Sequence, residues 1–551
     1  METIELTVHG MTCATCATHV VQALKQVAGV LDATVPGGWQ SARAIVTADS
    51  SVTTAALEAA VREAGYKATL ATRKPLNEPV ARDGKGGDYD LMVIGGGAAG
   101  FAAAITGAEL GFNVAIVEAS TIGGTCVNVG CVPSKALIRS VELYHLAGQH
   151  RFRGVHTVPG HLNWPQVIAH KDELVGELRQ AKYVDVLAAY PAITSIQGHA
   201  SLTGGNGIEI DGRRYNPGKI IIATGARPWA PPIPGLEETG FLDSTAALDL
   251  KELPKSLIVL GANAVGLELA QTYARAGAHV TVLEVLPRIA PFEDEAISHA
   301  LAGYLEAEGL RIVPNFQTTR VERRDGRFAL TGTRDGRTLR FEAEQLLVAT
   351  GRRPNTDGLG LEAAGVQVGR RGEILVDATL RTDNPFVYAA GDVTGRDMFV
   401  YVAAYSGMLA AENALTNAGR AYDARSIPRI TFTDPQVASA GLTEAQAREQ
   451  GYDVVVSTLP MAHVPRALVA RDTRGLIKLV VDAASSRLLG AHILAPEAGE
   501  MIQVAVLVMR FGITVTDLRA LMFPYLTNVE GLKLAMLALE KDVAKLSCCA
   551  G

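Results

Sequence analysis

Two cysteines five positions apart, Cys126 and Cys131 in Gly-Gly-Thr-Cys-Val-Asn-Val-Gly-Cys-Val-Pro-Ser-Lys (residues 123–135), are the side chains best placed to do chemistry. A thiolate is a nucleophile, a soft-metal ligand and half of a redox couple. A structural disulfide across so short a loop would contribute only roughly 2 kcal/mol through loop-closure entropy. That is little for a chain of 551 residues, so the spacing reads as a redox-active dithiol. The chain has six cysteines, and the other four also fall into local pairs, Cys13 with Cys16 and Cys548 with Cys549. Cysteines used as small core hydrophobes would scatter. Pairs without a singleton point to dithiol or soft-metal chemistry at separate stations.

The elements that position these pairs are legible from periodicity. Ile4, Leu6 and Val8 alternate with polar residues, a half-buried strand. Gly10-Met11-Thr12-Cys13-Ala14-Thr15-Cys16 then leads into a helix with Val20, Leu24 and Val27 on one face. A second helix carries Leu57, Ala60, Val61 and Ala64 and stops at Gly65. Strand-like runs near 30–35 and 42–46 complete a βαββαβ, ferredoxin-like order over residues 1–70. The polar, Pro- and Gly-rich residues 71–88 read as a flexible linker.

An internal repeat follows. Leu91 to Glu118 and Leu257 to Glu284 each read strand, glycine turn, helix, strand, and in both the first glycine precedes the final glutamate by 23 residues. This is the dinucleotide-binding pattern: a helix N-terminus faces a pyrophosphate and the acid reaches a ribose hydroxyl. Gly95, Gly97, Gly100 and Glu118 carry it in the first copy, and Gly261, Gly266 and Glu284 in the second. Asn263 replaces the middle glycine of the second copy, and its Cβ would hold a pyrophosphate slightly further out.

These motifs, in this order, resemble the flavoprotein disulfide reductases. The resemblance implies FAD on the first copy and NADPH on the second, with NADH possible because Glu284 repels a 2′-phosphate; Arg288, four residues on, could offset that. Thr224 and Gly225, Gly351, and Asp392 in Tyr-Ala-Ala-Gly-Asp match the family's strand-end turns and its ribityl-binding segment, and Lys135 matches a flavin-contacting lysine. Further cofactor contacts are implied at Ala99, Gly124, Thr125, Gly130, Ala200 and Val400. The implied α/β architecture is an FAD-binding domain over 89–240, a nicotinamide domain over 241–352, a central segment over 353–425 and a dimerisation domain over 426–551. Gly-Met-Thr-Cys-x-x-Cys likewise resembles the heavy-metal-associated domain. Paired thiolates near a helix N-terminus suit soft cations, although a thioredoxin-like redox pair is the alternative.

The C-terminal segment bears on the substrate. Glutathione reductases and dihydrolipoamide dehydrogenases carry a His-Pro-x-x-x-Glu segment in the stretch that here reads Phe523-Pro524-Tyr525-Leu526-Thr527-Asn528-Val529-Glu530, and that histidine protonates a leaving thiolate. Here Tyr525 stands in the histidine's place and Glu530 follows five positions on. A phenol with a pKa near 10 is a poor proton shuttle at neutral pH, which argues against an organic disulfide substrate. With the Cys548–Cys549 tail, the N-terminal module and Tyr183 in Ala-Lys-Tyr, the whole chain resembles the mercuric reductase branch. That implies reduction of Hg(II) to Hg(0) by NAD(P)H through FAD. Cys13 and Cys16 would collect the ion, Cys548 and Cys549 relay it, Cys126 and Cys131 bind and reduce it, and Tyr183 and Tyr525 orient it. Tyr183 also reads simply as an aromatic on a helix from about 172 to 187. A homodimer is implied, each tail reaching the other subunit's site, with Hg(II)-thiol complexes and mercury transport proteins as partners. The competing classes are a dihydrolipoamide dehydrogenase- or glutathione reductase-type enzyme and a metal-sequestering protein on an inherited enzyme fold.

Composition agrees with a globular, nucleic-acid-independent protein: 48% hydrophobic, 20% charged, net charge −6. The acidic start Met-Glu-Thr-Ile-Glu lacks signal-peptide character, and no apolar run is long enough to span a bilayer. A cytoplasmic location without stable membrane insertion is expected.

Overall fold

The computed structural model describes residues 2–12, 14–35, 42–49, 51–75 and 88–545. The chain forms two compact units, one centred on residues 1–88 and the other on residues 89 onward.

In the first unit, β1 (Glu2–His9), β2 (Val30–Thr34), β3 (Arg43–Ala48) and β4 (Lys67–Pro75) form an antiparallel sheet of order β2-β3-β1-β4. Helices α1 (Ala14–Lys25) and α2 (Thr54–Glu63) complete the βαββαβ order. Ile4, Leu6 and Val8 of β1 are buried with Val20 and Leu24 of α1 and Leu57 and Val61 of α2. Thr53 caps α2 by accepting from the Ala56 amide at 3.2 Å, and Gly65 at φ +92° ends it. The linker expected over residues 71–88 does not begin at residue 71, because residues 71–75 belong to β4. β4 stays paired with β1 as far as Glu2 opposite Pro75, because an extended Thr-rich run finds a free sheet edge there. Residues 76–87 lie outside the described residues.

Among the described residues, the second unit contains two parallel sheets and four antiparallel ones. In the first, β5 (Leu91–Ile94) lies between β6 (Val114–Glu118) and strand Lys219–Ile222, with Ile193–Gln197 and Val387–Ala389 at the edges. Helix α3 (Ala98–Glu109) joins β5 to β6. The second parallel sheet centres on Ser256–Leu260, flanked by His279–Leu283 and Gln345–Val348, with Arg311–Val313 beyond. Central strands buried on both faces read as continuous apolar runs, as Leu-Met-Val-Ile and Leu-Ile-Val-Leu do. The C-terminal five-stranded antiparallel sheet, Arg429–Thr431 to Leu488–Ala495, is backed by helix Ala498–Phe511.

Both glycine turns sit at the carboxyl ends of their central strands, where open α/β sheets bind ligands. Gly95 (φ +115°) and Gly261 (φ +104°) adopt the left-handed backbone. A Cβ there would come within 2.3 Å of Ala223 O and 2.6 Å of Ala349 O respectively. The strand-end turns Ala223-Thr224-Gly225 and Ala349-Thr350-Gly351 thus close on the two glycine turns alike. Inside the helices, a Cβ on Gly100 would meet Gly95 O at 1.8 Å and one on Gly266 would meet Gly261 O at 2.1 Å. At Gly97 the nearest atom is Gly124 Cα at 3.6 Å. Gly100→Ala should therefore lower the melting temperature by several degrees, given overpacking costs of about 1–3 kcal/mol and about 2–4 °C per kcal/mol for domains of this size. Gly97→Ala should leave the melt nearly unchanged; thermal circular dichroism distinguishes the two.

Candidate functional site

The segment carrying the cysteine pair is helical on both sides rather than an open loop. Cys126 lies within α4 (Gly124–Val129), and Cys131 is the first residue of α5 (Cys131–Ala147). Gly130, at φ −132° and ψ −111°, breaks the helix between them. Gly123 (φ +101°) and Gly124 (φ +62°) start α4 in a backbone other residues resist. Both thiols are free and half-buried.

Their environments differ sharply. Cys131 is pushed down to about 7, first by the hydrogen bond from Cys126 and then by the Lys135 charge, against the opposing effect of burial. Its place at the first turn of α5 adds the favourable helix N-terminus. Cys126 is pushed up, by that same hydrogen bond, by burial and by the neighbouring thiolate. The pair therefore holds one thiolate and one thiol near neutral pH, the thiol donating to the thiolate.

Lys135 donates to Glu268 Oε2 at 2.6 Å and lies 4.7 Å from the centre of the Phe432 ring. Glu268 Oε1 accepts from the Phe432 amide at 2.8 Å. Sequence reasoning missed Glu268, although an acid inside the apolar Leu267-Glu268-Leu269-Ala270 run was a usable signal. Asp392, in the short helix Gly391–Thr394, has its carboxyl pushed up by burial, with Arg352 opposing; Arg352 Nε lies 4.0 Å from Asp392 Oδ2. Arg352 was also missed.

The two ribose-position acids are held identically. Glu118 accepts from the Gly96 amide at 2.7 Å and the Ser120 amide at 2.7 Å. Glu284, buried, accepts from the Ala262 amide at 2.7 Å and the Leu286 amide at 2.9 Å. Asn263 caps the helix Ala264–Ala276 without a side-chain cap bond. Arg288 donates to Glu293 O at 2.8 Å, within its own loop. Thr224 donates to Asn355 O at 2.7 Å, while Gly225 and Gly351 take positive φ. Ala99 and Ala200 are buried, and Val400 opens helix Val400–Thr416.

Tyr183 packs edge-on against Phe101, ring centres 4.7 Å apart. Burial and then the charges of Cys126 and Cys131 push its phenol up, so it is a protonated donor beside the pair. Its helix begins earlier than expected, at Trp164, where Asn163 caps by accepting from the Gln166 amide at 3.2 Å. Tyr525 is half-exposed in the C-terminal domain, on a turn that Glu530 closes by accepting from the Leu526 amide at 3.3 Å. Burial pushes the Glu530 carboxyl up, against the lowering effect of that bond. In the first unit Cys16 is half-buried, its Sγ 3.8 Å from Thr12 Oγ1. Cys13, Cys548 and Cys549 lie outside the described residues.

Comparison with known proteins matches this architecture. The pyridine nucleotide-disulphide oxidoreductase model covers residues 89–407, its dimerisation domain 427–536, and the heavy-metal-associated domain 5–67. The chain is 43% identical to the mercuric reductase of Staphylococcus aureus over 548 residues, 99% of each chain. The chain belongs to the mercuric reductases of the pyridine nucleotide-disulphide oxidoreductase family. The mercuric reductase of Streptomyces lividans is 47% identical over 472 residues, 84% of this chain and 98% of that one. Among solved structures, the HOCl-induced flavoprotein disulfide reductase RclA of Escherichia coli superimposes with a TM-score of 0.73 at 35% identity, covering 82% of this chain and 99% of that one. Among the described residues, no helix is long and apolar enough to cross a membrane.

The mercuric reductase fold thus brings Cys126, Cys131, Tyr183 and Lys135 together, and sets Tyr525 and Glu530 on a separate domain surface. The asymmetry of the dithiol has a direct readout. Iodoacetamide should alkylate Cys131 at a rate that rises with pH through about 7 and levels above it, with Cys126 reacting far more slowly. Lys135→Gln removes a lowering charge and should move the midpoint upward.

Proposed function

We propose that the chain reduces Hg(II) to Hg(0) with NAD(P)H, and that Cys126 and Cys131 are the ligands from which the ion is reduced. The observation that carries this is the thiolate–thiol pair beside a protonated Tyr183, together with a tyrosine where disulfide reductases need a histidine. The residues fit FAD. The first helix N-terminus is open at Gly97, and the desolvated Asp392 carboxyl has its nearest charged partner 4.0 Å away, which suits a ligand rich in hydroxyl donors. Gly95, Gly97, Gly100, Glu118, Lys135 and Asp392 would hold it. Bound FAD supplies two-electron transfer between the nicotinamide and the dithiol side.

The chain's own residues handle the ion. Cys131 attacks a Hg(II)-bis(thiolate) as a thiolate and displaces one ligand thiolate. Cys126 forms the second Hg–S bond, and its proton leaves with the second ligand as a free thiol. The electron pair that NAD(P)H gives up as it becomes NAD(P)⁺ ends on mercury, and the one proton released with it returns to Cys126. Hg(0) has little affinity for thiolates and departs, leaving the pair as thiolate and thiol again. Tyr183 donates a hydrogen bond toward the ligated sulfurs, and Tyr525, arriving from a second copy of the chain, closes the opposite side. Cys13 with Cys16 and Cys548 with Cys549 collect and relay the ion from thiol complexes and mercury transport proteins. Dependence on NAD(P)H, a reductant of the cell interior, supports a cytoplasmic location for the reaction.

Glu284 bears on the choice of nicotinamide. Held by two backbone amides, it would confront a 2′-phosphate with a fixed carboxylate, while Arg288 is engaged within its own loop. NADH should therefore give the higher kcat/KM, and Glu284→Ala should narrow its advantage over NADPH. The reaction itself is tested by a spectrum. A yellow protein should bleach with NAD(P)H and recover colour on Hg(II) addition, and Cys131→Ala should abolish that recovery; persistent mercury turnover by Cys131→Ala would sink the dithiol assignment. Cys548→Ala with Cys549→Ala should slow reduction of bulky thiol complexes more than of small ones.

A further inference from the structure

Tyr183 does not sit on an ordinary helix. α6 (Trp164–Arg179) gives way to one π turn, Gln180–Val184, before α7 (Asp185–Ala189) resumes the α form. A π turn inserts an extra residue into the helical ladder and re-aims the side chains around it; such turns are rare and cluster at functional sites. Something must stabilise it here, and two contacts do. Gln180 Nε2 donates to Asp185 Oδ1 at 2.8 Å, bridging the turn. Arg179, the last α-helical residue before it, donates through Nη1 to Asn128 Oδ1 at 3.1 Å.

Asn128 lies between the two cysteines, and its amide is fully engaged. Nδ2 donates to Ile122 O at 3.0 Å and Gly124 O at 2.9 Å. The Arg179–Asn128 bond therefore ties the start of the π turn to the rigid helical segment that carries Cys126. On the far side Phe101 meets the Tyr183 ring edge-on. The ring also lies against the turn that starts α4, where a Cβ on Gly123 would be in ordinary contact with Tyr183 Cδ2 at 3.5 Å.

We propose that Arg179 is a positioning residue for mercury reduction: by holding Asn128 it locks the π turn that keeps the Tyr183 phenol against the cysteine pair. This rests on the proposed role of Tyr183 toward Hg(II). Arg179 touches neither thiol; its effect passes through the tyrosine. Loss of the tie lets the π turn relax toward a regular helix, which would rotate Tyr183 away while leaving both thiols in place.

A double-mutant cycle tests this with Tyr183→Phe, Arg179→Met and the double variant, all in full-length protein at equal flavin content. Arg179→Met should lower kcat for Hg(II) by about tenfold to a hundredfold, the scale of a small misplacement at a reacting centre, with little change in KM. The double variant should be no slower than Tyr183→Phe alone, and Arg179→Lys, which keeps a donor, should recover part of the loss. If Tyr183→Phe turns over Hg(II) normally, the role of Tyr183 itself is overturned. If Tyr183→Phe is slow but Arg179→Met is not, or if the two losses multiply, the positioning role of Arg179 is overturned. Should Arg179→Met not fold, the same cycle with Arg179→Gln decides by the same criteria.

Discussion

Glu268 is the point at which the second unit is tied together around its dithiol. Its side chain is only 6% exposed, and each carboxylate oxygen is committed to a different part of the chain. One accepts from Lys135, one turn into the helix that begins with Cys131; the other accepts from the Phe432 amide in the C-terminal domain. Glu268 itself belongs to the helix of the second dinucleotide fold. A buried carboxylate left without its cation is costly, about 3–5 kcal/mol in comparable cases. The Lys135 ammonium is in turn held over the Phe432 ring. The charge that depresses Cys131 is therefore fixed by the packing of three parts of the fold.

That constraint accounts for the division of labour between the thiols. Cys131, at a helix start and near a fixed cation, is the thiolate; Cys126, buried and donating to it, is the thiol. An organic disulfide substrate would need a further proton donor for its leaving thiolate. Mercury does not, because the thiol displaced from the ion can leave with the proton of Cys126. The reading of Tyr525 as standing where the resemblance puts a histidine is consistent with that chemistry. Tyr183 contributes a donor held protonated by burial and by the charge of the adjacent cysteine pair.

Much of the fold is legible in the sequence because it follows from short-range rules. The two Gly-to-Glu spacings announce two dinucleotide folds, and the glycines are obligatory where a Cβ would strike a backbone carbonyl. Apolar alternation in residues 4–8 and helical spacing in residues 57–64 give the N-terminal module its ferredoxin-like order. The cysteine pair is visible from spacing alone, but its setting is not. Gly130 turns an expected loop into two helices, and the run after residue 70 prolongs a strand because an edge is free to receive it. The contacts that organise the site join residues far apart in sequence, Lys135 with Glu268 across 133 positions and Asn128 with Arg179 across 51. No local pattern encodes such pairs, and the π turn beneath Tyr183 has no period of its own to betray it.

The central claim is that the Cys126–Cys131 pair ligates the metal it reduces. X-ray absorption at the mercury edge tests this directly in a variant with Cys13, Cys16, Cys548 and Cys549 all replaced by alanine, loaded with Hg(II) in the absence of nicotinamide and external thiols. The account predicts one mercury per chain with two sulfur neighbours, lost when Cys126 or Cys131 is also replaced. Mercury bound only through oxygen or nitrogen, in a variant that still reduces it, would contradict the account.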